Sequence, residues 1–93
     1  MSKFNLGKLV STRRVADLLA DNKQFARDVT IALGKYTNCN WGIICKEDAA
    51  MNDDAVKSGN DRIFAKYETS EGAIYIITEW DRSITTILFP DEY

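Results

Sequence analysis

Apolar residues recur every three or four positions along the first part of the chain, which is the period of an amphipathic helix. A first helix is predicted over residues 10–21, with Ser11 or Thr12 as its N-cap. A second helix is predicted from residue 21 or 22 to residue 36. Its apolar stripe consists of Phe25, Val29, Leu33 and Tyr36. The two helices together predict an αα-hairpin.

A third helix is predicted over residues 47–57, after a turn-rich connection over residues 37–45. Glu47 and Asp48 favour a helix start at this point, because carboxylates interact well with the positive end of the helix dipole. Gly59 is placed to end the helix. The residues predicted to face inward are Ala50, Met51, Ala55 and Val56, whereas those predicted to face water are Asp53 and Asp54.

From residue 62 onward the period changes to two, and β-branched and aromatic residues dominate. Strands are predicted over residues 62–69, 73–79 and 83–89. The connections at 70–72 and 80–82 are short enough for hairpins. Pro90 lacks the N–H that a sheet ladder requires, so it ends the last strand and leaves residues 91–93 as an acidic tail.

Helices followed by strands predict an α+β fold in a single domain covering residues 1–93. The helical part spans about residues 8–58 and the sheet about residues 62–89. The N-terminal helices are expected to pack on one face of a three-stranded antiparallel meander.

The composition is that of a globular domain, with 45% hydrophobic and 28% charged residues. No apolar stretch approaches the roughly 20 residues needed to span a bilayer, so a membrane role is not expected. The first residues carry no apolar run typical of a signal peptide. A cytoplasmic protein is therefore expected.

The residue types present exclude several kinds of chemistry. The chain has no histidine, so Ser–His and Cys–His mechanisms are excluded, and no glycine-rich phosphate loop occurs. Cys39 and Cys45 do not have zinc-site spacing and are expected to be reduced, buried thiols. Three carboxylate pairs remain open to acid–base or Mg²⁺ chemistry, with solvated surface as the simpler interpretation: Glu47/Asp48, Asp53/Asp54 and Glu79/Asp81. We expect no enzymatic activity, cofactor or metal.

Charge is divided unevenly along the chain, with a net charge of +5 over residues 1–46 and −7 over residues 47–93. Such asymmetry favours an association surface for a charged macromolecule. The predicted surface would bind a Lys/Arg-rich protein partner, with Trp80, or else Trp41, as an aromatic anchor. It consists of Glu47, Asp48, Asp53, Asp54, Trp80 and Asp81.

The basic N-terminal helices offer an alternative, which is direct contact with nucleic-acid phosphates. This hypothesis has less support, because nucleic-acid-binding domains usually have an excess of basic residues, whereas the pI of this chain is near 5.0. The sequence also contains no recognisable nucleic-acid-binding motif. The basic residues concerned are Lys3, Lys8, Arg13, Arg14, Lys23, Arg27 and Lys35.

Three stretches of the chain carry a resemblance to short phage and plasmid proteins of Firmicutes mobile elements, some of them labelled plasmid-related. These stretches are KFNLGKLVSTRRVADLL, NWG with EDAAMNDDAVKSGNDRIFAKY, and IITEWDRSITTILFPDEY. The resemblance implies a genetic setting in which small non-enzymatic proteins frequently inhibit host defence, with anti-CRISPR proteins as the best-known class. It therefore implies a partner such as a Cas effector in the cytoplasm of a bacterial host.

Overall fold

The computed structural model describes residues 3–93 and has an α+β fold. Its strands are β1 (Lys8–Ser11), β2 (Ile63–Thr69), β3 (Gly72–Thr78) and β4 (Ile84–Leu88). Its helices are α1 (Arg13–Asp21), α2 (Lys23–Thr37) and α3 (Lys46–Ser58), and a 3-10 turn follows at Pro90–Glu92.

The sheet has four strands in the order β1-β4-β3-β2, so the predicted three-stranded antiparallel meander is wrong. The two antiparallel hairpins β2–β3 and β3–β4 are present, but β1 adds a fourth strand that runs parallel to β4. Residues 8–11 fall within the predicted helical part, which spans about residues 8–58 and has its first helix from residue 10. They form a strand because they pair with residues 84–87 near the other end of the chain, and a pairing so distant in sequence leaves no local pattern.

Local signals place the helix ends well. Thr12 caps α1, which therefore begins at Arg13 rather than at residue 10, and the side chain of Asn22 caps α2 by accepting a bond from the Phe25 amide at 3.0 Å. Gly59 ends α3 in the left-handed conformation with φ of 75°, as predicted. These caps satisfy amides and carbonyls that would otherwise lack partners at the helix ends.

The core lies between the helices and one face of the sheet. The stripe of α2 is confirmed, because Phe25, Val29 and Tyr36 are buried and Leu33 packs against the same cluster. Phe25 stacks on Phe89 with ring centroids 5.8 Å apart. Aromatic contacts of this kind contribute beyond the area they bury.

A chain of hydroxyl groups crosses the buried side of the sheet. Thr85 donates its only hydroxyl proton to the Leu6 carbonyl at 2.7 Å. Thr78 must therefore donate to Thr85 at 2.8 Å, and Tyr36 must donate to Thr78 at 2.7 Å. The chain gives three buried hydroxyls defined partners, which is the condition for burying polar groups without a large penalty.

Alkaline pH is expected to destabilise the protein, because burial raises the pKa of both Tyr36 and Tyr67 above the ordinary value. The unfolded chain loses these protons near pH 10 while the folded chain keeps them, so stability present below pH 10 is lost as the pH rises further. For Tyr36 the loss is about 1.4 kcal/mol per pH unit. Denaturant unfolding between pH 9 and 11 measures it. Tyr36→Phe should flatten the dependence, whereas an unchanged slope would contradict the assignment; Tyr93→Phe, at an exposed position, is the control.

The C-terminal residues are not a free acidic tail, which corrects the prediction. Glu92 accepts hydrogen bonds from the Thr12 hydroxyl and the Phe89 amide, both at 2.9 Å. Asp91 forms an ion pair with Arg14 at 2.9 Å. These contacts tie the last turn to the start of α1 because β1 and β4 are neighbours in the sheet.

Neither cysteine forms a disulfide, and the expectation of two buried thiols is only partly met. Cys39 is partly buried, while Cys45 is exposed just before α3. Burial raises the pKa of the Cys39 thiol.

Among the described residues, no helix combines the length and hydrophobicity that a membrane crossing requires.

Candidate protein-binding surface

Helix α3 lies along the outer edge of β2 and is held there by a buried asparagine. Asn52, with 4% of its surface exposed, donates to the Phe64 carbonyl at 2.6 Å and accepts from the Phe64 amide at 3.1 Å. The side-chain amide thus pairs with an edge residue as a neighbouring strand would. Ala55, one turn further along the helix, is fully buried.

The orientation of α3 differs from the predicted one. Met51 was predicted to face inward but has 67% of its surface exposed, and Ala50 is exposed as well. Ala55 and Val56 face inward as predicted, and Ala49 and Asn52 complete the inner face. Apolarity alone pointed to Met51, whereas the unpaired backbone groups of β2 require a polar partner on the buried face of the helix.

Asp53 is exposed, as predicted, but it also has a structural partner. The indole nitrogen of Trp41 donates to its carboxylate at 2.9 Å. Trp41 itself is 5% exposed and packs edge-on against Tyr36, with centroids 5.5 Å apart, so it is a core residue rather than a surface anchor. Asp53 therefore fixes α3 to the connection that precedes it.

Arg82 joins the β3–β4 turn to the C-terminal end of α3. Its guanidinium donates to the carbonyls of Ala55 at 2.8 Å, Asp61 at 2.6 Å and Trp80 at 3.2 Å. A guanidinium has enough donors to bind several carbonyls at once. The turn carrying Trp80 is thereby placed next to the end of α3.

Trp80 and Asp81 have different environments within this turn. Trp80 is 62% exposed and lies on the surface, while its role as an aromatic anchor stays a prediction. Asp81 accepts hydrogen bonds from the amide and the hydroxyl of Ser83, at 3.0 and 2.6 Å. These bonds lower the pKa of Asp81 and give the carboxylate a role in shaping the turn.

A shallow groove of about 510 Å³ runs between α3 and the start of β2. The carboxylates of Asp48, Asp54 and Asp61 line it together with the exposed Met51 side chain, and Arg62 adds one cation to the lining. Asp48 and Asp54 are six residues apart, which corresponds to about 9 Å along the helix axis. We call Glu47, Asp48, Met51, Asp54 and Asp61 the α3 acidic surface.

The six predicted site residues thus form an interrupted strip. Glu47, Asp48 and Asp54 lie on exposed parts of α3, Asp53 is bound to Trp41, and Trp80 with Asp81 lies at the far end of the helix. Sequence reasoning missed Met51, which it assigned to the inner face of the helix. Asp61 was visible as a charged residue after Gly59, but nothing in the sequence placed it beside the helix.

The basic residues of α1 and α2 do not form a uniform positive face. Arg14 is paired with Asp91 and lies over the Phe89 ring at 4.3 Å from its centroid. The adjoining groove of about 690 Å³ has both signs of charge in its lining: Arg13, Arg14, Asp17, Asp21, Glu71 and Glu92. Carboxylates of this kind oppose a close approach of phosphate groups.

Within residues 3–93, no three His, Cys, Asp or Glu side chains are grouped so as to hold a metal ion.

Comparison with protein-family models, curated proteins and solved structures finds no match to this chain.

Proposed function

We propose that the chain is a non-enzymatic inhibitor whose α3 acidic surface binds a Lys/Arg-rich surface of another protein. The observation that supports this most is the exposed Met51 side chain between Asp48 and Asp54. Carboxylates around an accessible apolar group provide both charge complementarity and an area that can be desolvated at the centre of a contact. Trp80 adds a second exposed apolar group at the other end of the helix.

The proposed partner is a nucleic-acid-binding defence effector of a bacterial host, such as a Cas protein. This part of the proposal rests on the resemblance to proteins of mobile elements. A surface that binds nucleic acid is rich in Lys and Arg, and a rigid row of carboxylates can occupy it in place of phosphates. Occupation would block access of the nucleic acid to the effector.

Direct nucleic-acid binding has less support as a function. The net charge of the chain is −2, and Arg14 is already engaged with Asp91. Phosphate contacts need several free cations on one face, because each neutralised phosphate contributes to affinity separately.

The proposal predicts that reversing charge on α3 weakens partner binding far more than folding. Asp48→Lys with Asp54→Lys should lower affinity for the effector at least about tenfold, mainly through slower association at low salt. Asp17→Lys with Asp21→Lys changes the net charge equally on α1 and is the matched control. Asp53 is left unchanged because its contact with Trp41 supports the fold.

Purified Cas effectors, assayed for target binding and cleavage with and without the protein, provide the measurement. Inhibition that is lost in the α3 double variant but kept in the α1 double variant is the expected result. A wild-type protein that inhibits none of the effectors while shifting a labelled DNA or RNA probe at physiological salt contradicts the proposal. In that case Arg13→Glu should abolish the probe shift, and nucleic-acid binding would replace protein inhibition as the proposed function.

A further inference from the structure

The two edges of the sheet differ in how their backbone groups are paired. At the β2 edge, Asn52 pairs with both backbone groups of Phe64, and the Ile43 amide donates to the Lys66 carbonyl at 2.7 Å. The Lys66 amide donates in turn to the Trp41 carbonyl. This edge is therefore closed by the chain itself, as natural sheets commonly protect their edges.

The β1 edge has no such cover among the described residues. The Lys8 amide donates to Ser83 at 2.9 Å, and the Thr12 amide donates to Ile87 at 3.1 Å, so the even-numbered residues face β4. Because successive residues of a strand direct their N–H and C=O groups to opposite sides, those of Leu9 and Ser11 point away from the sheet. They form a template for one more strand.

An apolar groove of about 310 Å³ lies beside this edge on the helix-facing side of the sheet. Leu9, which is 47% exposed, forms one wall, and side chains of α1 and α2 form the other. The apolar lining consists of Leu9, Val10, Leu19, Val29, Leu33 and Ile87. A strand added next to β1 would direct alternate side chains into this groove.

We propose that β1 accepts an extended segment of a partner protein as a fifth strand, with an apolar side chain in the groove and acidic residues flanking it. Charge argues for this occupant, because β1, α1 and α2 together carry six Lys/Arg against three Asp, a net charge of +3, and the charged residues next to the open edge, Lys8 and Arg13, are both cationic. Lys8 and Arg13 are exposed on either side of the open edge. Backbone bonds would provide affinity, and the groove and charges would provide selectivity.

A second copy of this chain fits the edge less well, because its own β1 would bring the same positive residues. The short length of β1 and the presence of Lys8 also oppose indiscriminate pairing. This inference does not depend on the α3 acidic surface, which lies on the elements at the opposite edge of the sheet.

The probe is an acetylated peptide of alternating valine and threonine flanked by two glutamates at each end, titrated into isotope-labelled protein. We expect the amide signals of Leu9 and Ser11 to shift and their hydrogen exchange to slow. Ser11→Pro removes one outward N–H at a position where an edge strand tolerates proline, and should weaken peptide binding about tenfold. Ser11→Ala keeps the N–H and should bind as the wild type does.

A version of the peptide with lysines in place of the glutamates should bind at least several-fold more weakly, and the difference should shrink with salt. Absence of amide shifts with about 1 mM peptide would overturn the proposal, and this measurement needs no variant. Equal binding by Ser11→Pro and Ser11→Ala, both shown to be folded by circular dichroism, would also overturn it. Concentration-dependent dimerisation of the wild type that Ser11→Pro abolishes would assign the edge to a second copy instead.

Discussion

Replacing Gly42 with alanine is expected to reduce the free energy of unfolding by about 4 kcal/mol, which is large for a domain of this size. Gly42 has φ of 74°, and an added Cβ would overlap the Lys66 carbonyl oxygen and lie 2.7 Å from the Tyr67 ring. The carbonyl belongs to a backbone held in the sheet, so it cannot move away as a flexible side chain could. Thermal unfolding should occur roughly 20 °C lower.

Gly59→Ala is the matched control for this prediction. Gly59 has nearly the same φ, 75°, but open space where the new Cβ would stand. The Gly59→Ala variant should therefore lose only about 1 kcal/mol in the free energy of unfolding, which is the cost of placing alanine in the left-handed conformation. Equal losses in the two variants, measured by urea unfolding, would show that backbone conformation rather than the steric overlap decides the effect.

The Gly42 position connects the fold with the candidate surface. Residues 41–43 close the β2 edge through Lys66, and the neighbouring Trp41 holds Asp53 of α3. If the connection is pushed off the sheet, both contacts are lost. Gly42→Ala should therefore weaken binding through the α3 acidic surface without changing any of its residues.

Elements encoded by neighbouring residues could be predicted from the sequence. The α2 stripe, the Gly59 stop and the two hairpins each depend on residues within one element or turn. Gly72, for example, lies at the β2–β3 turn with φ of 100°, a conformation that glycine adopts without strain.

Features that depend on distant partners could not be predicted. Strand β1 exists because of its pairing with β4, and the C-terminal turn is ordered by Thr12 and Arg14 at the start of α1. Neither partner is near in sequence. The four residues of β1, two of them polar, have no local pattern that distinguishes a strand from a helix start, and the acidic C-terminal residues have none that distinguishes an ordered turn from a free tail.

The candidate surface shows the same division. The carboxylates of α3 and the Trp80 side chain could be named from the sequence, because residue charge and a position beside a turn are local properties. Exposure of Met51 could not be predicted, since it follows from the inward rotation of Asn52. Asn52 faces inward because the backbone groups of Phe64 at the edge of β2 need hydrogen-bond partners. Which strand lies at the edge is known only once the strand order of the sheet is known.

Replacing Asn52 with leucine is the second change for which we expect a large effect, a loss of about 3 kcal/mol in the free energy of unfolding. Leucine has a similar size, so the loss comes from the Phe64 amide and carbonyl, both left without partners beneath α3. Asp54→Leu, on the exposed face of the same helix, should change stability by less than about 0.5 kcal/mol. Urea unfolding of the two variants provides the comparison.

Asn52→Asp distinguishes the hydrogen-bond explanation from a packing explanation. At neutral pH the carboxylate can accept from the Phe64 amide, but it brings an anionic oxygen against the Phe64 carbonyl, to which asparagine donates at 2.6 Å. Protonation restores a donor, so the folded-state pKa of the new carboxyl lies above its unfolded value of about 3.9. The added stability is then present below that value and is lost as the pH rises through the folded pKa. We therefore expect the deficit of Asn52→Asp relative to the wild type to shrink as the pH falls from 7 toward 4, while that of Asn52→Leu stays constant. A deficit that is equal at both pH values would mean that the shape of the side chain, and not its pairing with β2, holds α3 on the sheet.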